Sequence, residues 1–352
     1  PYFNRHFTFN TSISPTLLDT FTINLGINDG YSSVGDIDSG DIGNLTDPKR
    51  RDFQTSFQHL TWTHSLPNAA ELKISYAHTV NDYSARLFTV AEAAQRLGQP
   101  ESVAQQFLDA NAPVFITAET GNIEQHNVEV TLKQQPTYHS KLISGVAYKA
   151  DNAKNHQVLN TQEWVKEESV RLFTNWEYTG FTDWTINSGA LLEHTSNSST
   201  RVSPRVAANY QLSNQSTIRT SISRAYRMPS LLEANYESVI YIPQPYTGIY
   251  GDVYDYEFIA NKDLSPEKLD SIDLGLIYKW PDFHSQLDTR IYYEKIERGI
   301  TTSYRFLDPV RAASAPNDPY SVYRSYMNRA EWSNQGIEFQ YKYQSEENLK
   351  PQ

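Results

Sequence analysis

Between Ser271 and Trp280 the chain alternates with a period of two. Ile272, Leu274, Leu276, Tyr278 and Trp280 fall on one parity, and Ser271, Asp273, Gly275 and Lys279 on the other, where only Ile277 is apolar. That period specifies an extended strand with one apolar face. It returns at Val202, Val206, Ala208, Tyr210 and Leu212, set against Arg201, Ser203, Arg205, Asn209 and Gln211, and again at Ile337, Phe339, Tyr341 and Tyr343. Further alternating runs begin near Tyr2, Leu17, Asp52, Ala70, Ile123, Lys141, Glu168, Thr182, Thr217 and Gln286, so about thirteen strands are expected. The runs last about 10 to 14 residues, longer than the ~5–6 of soluble strands and enough for a tilted bilayer crossing of about 9–11.

The connections alternate in length. Short ones at Ser14-Pro15, Ser65 to Asn68, Pro136 to Tyr138, Tyr178 to Gly180, Ser213 to Gln215 and Pro281-Asp282 separate long ones over 29 to 50, 84 to 121, 152 to 165, 195 to 200, 226 to 266 and 304 to 328. A soluble sandwich has no reason to gather its long loops at one end, whereas an outer-membrane barrel has short periplasmic turns and long extracellular loops. The expected fold class is therefore all-β, an antiparallel transmembrane β-barrel in the bacterial outer membrane. No repeat of fixed period supports a propeller.

Composition agrees. Among 352 residues, Tyr 24, Phe 15 and Trp 6 accompany a mean hydropathy of -0.59, too polar for membrane helices. No run of about 18 apolar residues occurs, and a barrel needs none, because its strands are polar at every second position. The absence of cysteine excludes disulfides, cysteine zinc sites and thiol catalysis. A net charge of -11 without a basic stripe argues against nucleic acid as a partner. There is no HExxH, GxSxG or P-loop, so no catalytic residue, cofactor or metal site is expected, and the chain is read as a non-enzyme. Asp36, Asp38 and Asp41 look like part of a calcium loop but lack its downstream Glu, which leaves a solvated acidic loop. Within the loop over 84 to 121, TVAEAAQRLG ending at Gly98 and a segment from Pro100 through Leu108 read as two short helices.

Three linked segments carry a resemblance. SRAYRMPSLLE places Arg227, Pro229, Ser230, Leu231 and Glu233 as in an Arg-x-Pro-Ser-Leu-x-Glu pattern; NKDLSPEKLDSIDLGLIY places Asn261, Leu264, Pro266 and Glu267 as in Asn-Pro-x-Leu-x-Pro-Glu, with Lys262 where Pro is usual; and NRAEWSNQGIEFQYKY carries Asn328, Gly336 and Glu338. In order and spacing they resemble the later barrel of TonB-dependent outer-membrane receptors. The resemblance implies a barrel of 22 strands, an N-terminal plug, coupling through that plug to the TonB complex of the inner membrane, and uptake of a scarce ligand, foremost a ferric siderophore. No His lies between Arg227 and Asn261, where haem receptors of this kind carry one. No plug sequence is recognisable and ENLKPQ lacks an aromatic-ended closing strand, so residues 1–352 are expected to be a partial, monomeric barrel embedded in outer-membrane lipid. A passive porin or adhesin barrel and a soluble all-β enzyme or lectin are the alternatives.

Candidate contacts follow from position. Tyr236, Tyr241, Tyr246, Tyr250, Tyr254 and Tyr256, with Pro243 and Pro245, make one loop rich in rings, equally suited to holding a ligand and to an aromatic girdle. Arg205, Asn209, Arg219 and Glu338 lie on the polar parity of their strands and are expected to face the lumen and a plug. Arg227, Pro229, Glu233, Asn261, Leu264, Pro266, Glu267 and Gly336 are expected to be architectural, with Arg227, Glu233 and Glu267 either paired near the barrel rim or forming a solvated surface ion pair.

Overall fold

The computed structural model describes residues 2–34, 49–86, 91, 94, 98–109, 118–241, 253–306 and 322–344. Thirteen long antiparallel strands form the wall. They are β1 (Phe3–Ile13), β2 (Asp19–Val34), β3 (Lys49–Leu66), β4 (Ala70–Arg86), β5 (Ala118–Thr137), β6 (Ser140–Asn155), β7 (Thr161–Tyr178), β8 (Trp184–Thr195), β9 (Arg201–Gln211), β10 (Ser216–Arg227), β13 (Glu267–Trp280), β14 (Ser285–Phe306) and β15 (Val322–Tyr343). Two short strands, β11 (Ser238–Tyr241) and β12 (Val253–Phe258), lie inside the long connection after β10. Three α-helices described over their full length occupy long connections: α1 (Glu101–Asp109), α2 (His156–Leu159) and α3 (Leu231–Asn235).

Each long strand pairs with its sequence neighbour, and β10 pairs with β13 across the excursion. The hairpin β11–β12 is carried to the extracellular end of β15, where Phe258 meets Arg324 in a parallel bridge and the Ile259 N–H donates to the Arg324 carbonyl at 3.0 Å. The alternation marks the thirteen long strands but not this pair, whose strands of four and six residues are too short to show a period.

Strand lengths correct the expectation of 10 to 14 residues: they run from 11 in β1 to 22 in β14 and β15. The excess lies on the long-loop side, where strands continue past the bilayer as paired ribbons. For the same reason the connection expected over 152 to 165 shrinks to α2 and its flanks, since β6 reaches Asn155 and β7 starts at Thr161. Of the two helices expected in the loop after β4, the second is α1. The first lies mostly outside the described residues, though Gly98 has φ 60 and the Gln99 N–H donates to the Ala94 carbonyl at 3.1 Å, the geometry of a helix C-terminus. Asp36, Asp38 and Asp41 are outside the described residues.

The two faces of the wall differ as parity requires. Ile218 and Ile222 of β10, Leu274 and Leu276 of β13, Ile291 of β14, and Ile337 and Phe339 of β15 share the outward face; Ile222, Leu274, Leu276, Ile291, Ile337 and Phe339 are exposed. In water such a band would be untenable, and in a bilayer it is the lipid contact. Toward the short turns the same face ends in Trp62, Trp176, Trp184, Tyr210, Tyr278 and Tyr341, ring-bearing residues suited to the membrane interface. Compact burial is found elsewhere: Leu159, Leu231, Ala234, Phe258, Leu264 and Pro266 gather where α2, α3 and β12 meet the extracellular strand ends.

Candidate functional site

The inward face is polar and ion-paired. Arg205 and Asn209 on β9 and Arg219 on β10 line a hollow of about 690 Å³, with Asn175, Ser221 and Asp273 among its other walls. Arg219 lies opposite Gly275 in the β10–β13 register and crosses it to reach Asp288 on β14 at 2.6 Å. A Cβ on Gly275 would stand 2.6 Å from the Arg219 Nε, so the glycine clears the path of that guanidinium. Glu338 on β15 faces Arg290 at 3.7 Å, and Arg290 also approaches Asp273 at 3.9 Å. Arg205, Asn209, Arg219 and Glu338 share the polar face opposite the apolar band, and Gly336, on the same face, sits under the ring of Tyr292.

Above this hollow the rim is organised around Arg227, the last residue of β10. Its Nη1 and Nη2 grip the two Glu233 oxygens at 2.8 and 3.0 Å, and its Nε donates to Glu267 at 2.5 Å. Glu233 is the third residue of α3 and closes a capping box: its carboxylate accepts from the Ser230 N–H at 2.9 Å while the Ser230 hydroxyl accepts from the Glu233 N–H at 3.2 Å. Burial opposes charge on Glu233, but the Arg227 and Ser230 bonds outweigh it and hold the carboxyl below its ordinary range. Glu267 accepts from the Ile300 N–H at 2.6 Å, which ties β13 to the bulge in β14.

The second motif completes the joint. Leu264 and Pro266 are buried, and Pro266 fixes φ where the loop turns into β13. The Asn261 side chain donates to the Tyr326 carbonyl at 2.9 Å. Asn328 accepts from the Ser265 N–H at 2.7 Å and donates to the carbonyls of Ser265 and Arg298 at 2.8 and 2.7 Å. Pro229 sits in the turn between β10 and α3. The three segments thus meet in space, binding β10, α3, β13, β14 and β15 at one end. Among the tyrosines of the ring-rich loop, Tyr236 caps α3 and packs edge-on against Phe258 and Tyr326, at 4.5 and 6.3 Å between centroids. Tyr241, Tyr254 and Tyr256 lie on β11 and β12, with only their backbone described; Tyr246 and Tyr250 are outside the described residues.

A model of the family described as TonB dependent receptor-like, beta-barrel, matches residues 2–350. The chain belongs to this family. Its barrels are those of outer-membrane receptors and transporters, which agrees with the lipid-facing band and with the absence, among the described residues, of any helix long and apolar enough to cross a membrane. No curated protein matches in sequence.

Solved structures of siderophore receptors and an iron transporter share the fold at low identity. The siderophore receptor PirA of Pseudomonas aeruginosa aligns with a TM-score of 0.66 and 13% identity over 96% of this chain and 52% of its own. A variant ferric enterobactin receptor, PfeA, of the same organism in complex with enterobactin gives 0.69 and 13% over 96% and 49%. The FrpB iron transporter of Neisseria meningitidis gives 0.66 and 11% over 97% and 50%. The chain therefore spans about half the length of these structures.

Proposed function

We propose that this chain forms about thirteen of some 22 strands in the wall of a monomeric outer-membrane receptor that takes up a ferric siderophore, driven through a plug domain by the TonB complex. The family match over nearly the whole chain carries this reading. The coverage of about half of each neighbour leaves room for a plug and the remaining strands. The ion-paired inward face suits contact with a plug, since Arg205, Asn209, Arg219 and Glu338 offer donors and acceptors to a polar partner rather than an apolar one. The neighbours named for siderophores and iron support the cargo class.

Deletion of the intact gene under iron limitation tests it. The expected result is lost growth on at least one ferric siderophore, restored by the gene in trans and abolished again when the inner-membrane coupling protein is removed. Unchanged uptake of every ferric chelate tried, together with steady conductance of the whole protein in a planar bilayer, would replace the reading with a passive pore.

A further inference from the structure

On the outward face of β4 and β5, one residue row above the apolar band, three ligand-type side chains converge. His78 and His126 are directly opposite in the β4–β5 register, and Glu124 lies two residues from His126 on the same face. The Nε2 atoms of His78 and His126 stand 3.0 and 3.1 Å from the same Glu124 oxygen, and the three ligand atoms lie within 4.8 Å of one another. Below them Val128, Val130 and Leu132 continue toward the short turn as bilayer-facing residues. The trio is thus at the height of the outer lipid headgroups, on the opposite face of the wall from the hollow.

The hydrogen bonds around the rings point to a cation. The Gln58 amide oxygen lies 2.6 Å from His78 Nδ1 and can only accept, so Nδ1 carries a hydrogen, and Nε2 meets the Glu124 carboxylate either as an imidazolium N–H or as a lone pair that shares a metal cation with it. Two electron-rich atoms at that separation repel unless a proton or a metal ion lies between them. The Tyr76 hydroxyl stands 3.0 Å from His126 Nδ1 and can accept there as well, leaving the second Nε2 free for the same role. Each imidazole therefore has a partner on its far nitrogen, the outer-shell arrangement that orients metal-binding histidines. The rings stack at 4.3 Å with 6° between their planes, and their side chains are 21% and 34% exposed, so the cluster is open to an ion from outside the wall.

We propose that His78, His126 and Glu124 form a divalent transition-metal site on the outer surface of the wall, with Gln58 and Tyr76 as its outer-shell partners. Two imidazoles and one carboxylate suit Zn²⁺ and its neighbours in the first transition row rather than Mg²⁺ or Ca²⁺, which take oxygen ligands. Zinc would lie about 2.0–2.2 Å from each donor atom and keep an outward position for water. The site joins β4 to β5 where the ribbon leaves the bilayer. It is independent of the transported cargo, so failure of the siderophore reading leaves it standing.

The complete receptor, purified in detergent and stripped with chelator, should be titrated with Zn²⁺ by calorimetry and with Cu²⁺ by electron paramagnetic resonance. The expected result is one Zn²⁺ that His78→Ala/His126→Ala removes, at least 100-fold weaker, and that Gln58→Leu weakens about 10-fold. Cu²⁺ should show hyperfine coupling to two nitrogens. Heat-modifiable migration on a gel shows that each variant barrel is folded. Retention of the full Zn²⁺ stoichiometry and affinity in the folded double variant, or no Zn²⁺ bound by the parent at millimolar concentration, would overturn the proposal.

Discussion

Replacing Arg227 by Ala should loosen the extracellular joint without dismantling the wall. The guanidinium makes three charge-assisted bonds, two to Glu233 and one to Glu267, each worth about 1.5–3 kcal/mol in a protected setting. Arg227 is 48% exposed, so solvent screens part of that sum. Both carboxylates also keep a backbone donor, Ser230 N–H and Ile300 N–H, which softens the loss. The net cost is about 2–3 kcal/mol, confined to the rim because the ladder bonds of β10 and β13 do not depend on it, and it corresponds to about 30- to 150-fold more frequent local opening. Hydrogen exchange of the complete receptor reads this directly on the peptide spanning α3, where the Ala234 and Tyr236 amides donate within the helix. Arg227→Lys keeps the charge but not the two-pronged grip on Glu233, and should fall between parent and Ala. Exchange in the Ala variant within about threefold of the parent would refute the view that this residue holds the joint.

Two further outcomes follow from the same structure. Because the folded Glu233 carboxyl titrates below its ordinary value of 4.5, its contribution is complete above that pH and lost as the pH falls through the lower folded value, so the protection of α3 amides, taken relative to their intrinsic exchange rate at each pH, should fall in acid and Glu233→Gln should flatten that fall. Leu274→Arg on the lipid face should destabilise the folded barrel in liposomes by about 2–4 kcal/mol, while Ser271→Arg on the inward face should cost under about 1 kcal/mol; equal costs would contradict the assignment of the faces.

Much of the wall was legible because β structure writes its geometry into every second residue. The thirteen long strands, the faces of Arg205, Asn209, Arg219 and Glu338, and the order of short and long connections are all local properties of consecutive residues. So is the architectural role expected of Pro266. Glu124 and His126 also form a same-face pair two residues apart, a weak signal in a chain whose nine histidines are scattered along its length.

What the tertiary structure alone decided is which strands stand side by side and in what register. His78 meets His126 and Gln58 only because β3, β4 and β5 align them in one row. Arg227 finds Glu267 across a 40-residue excursion, and β12 leaves its sequence neighbours to lie against β15. Register in a sheet is fixed by loop length, bulges and burial summed over whole strands, so no short window of sequence contains it. The alternating residues of Ser271 to Trp280 thus determined a strand and its two faces by themselves. Their partners, Arg219 reaching across Gly275 to Asp288, came from the fold.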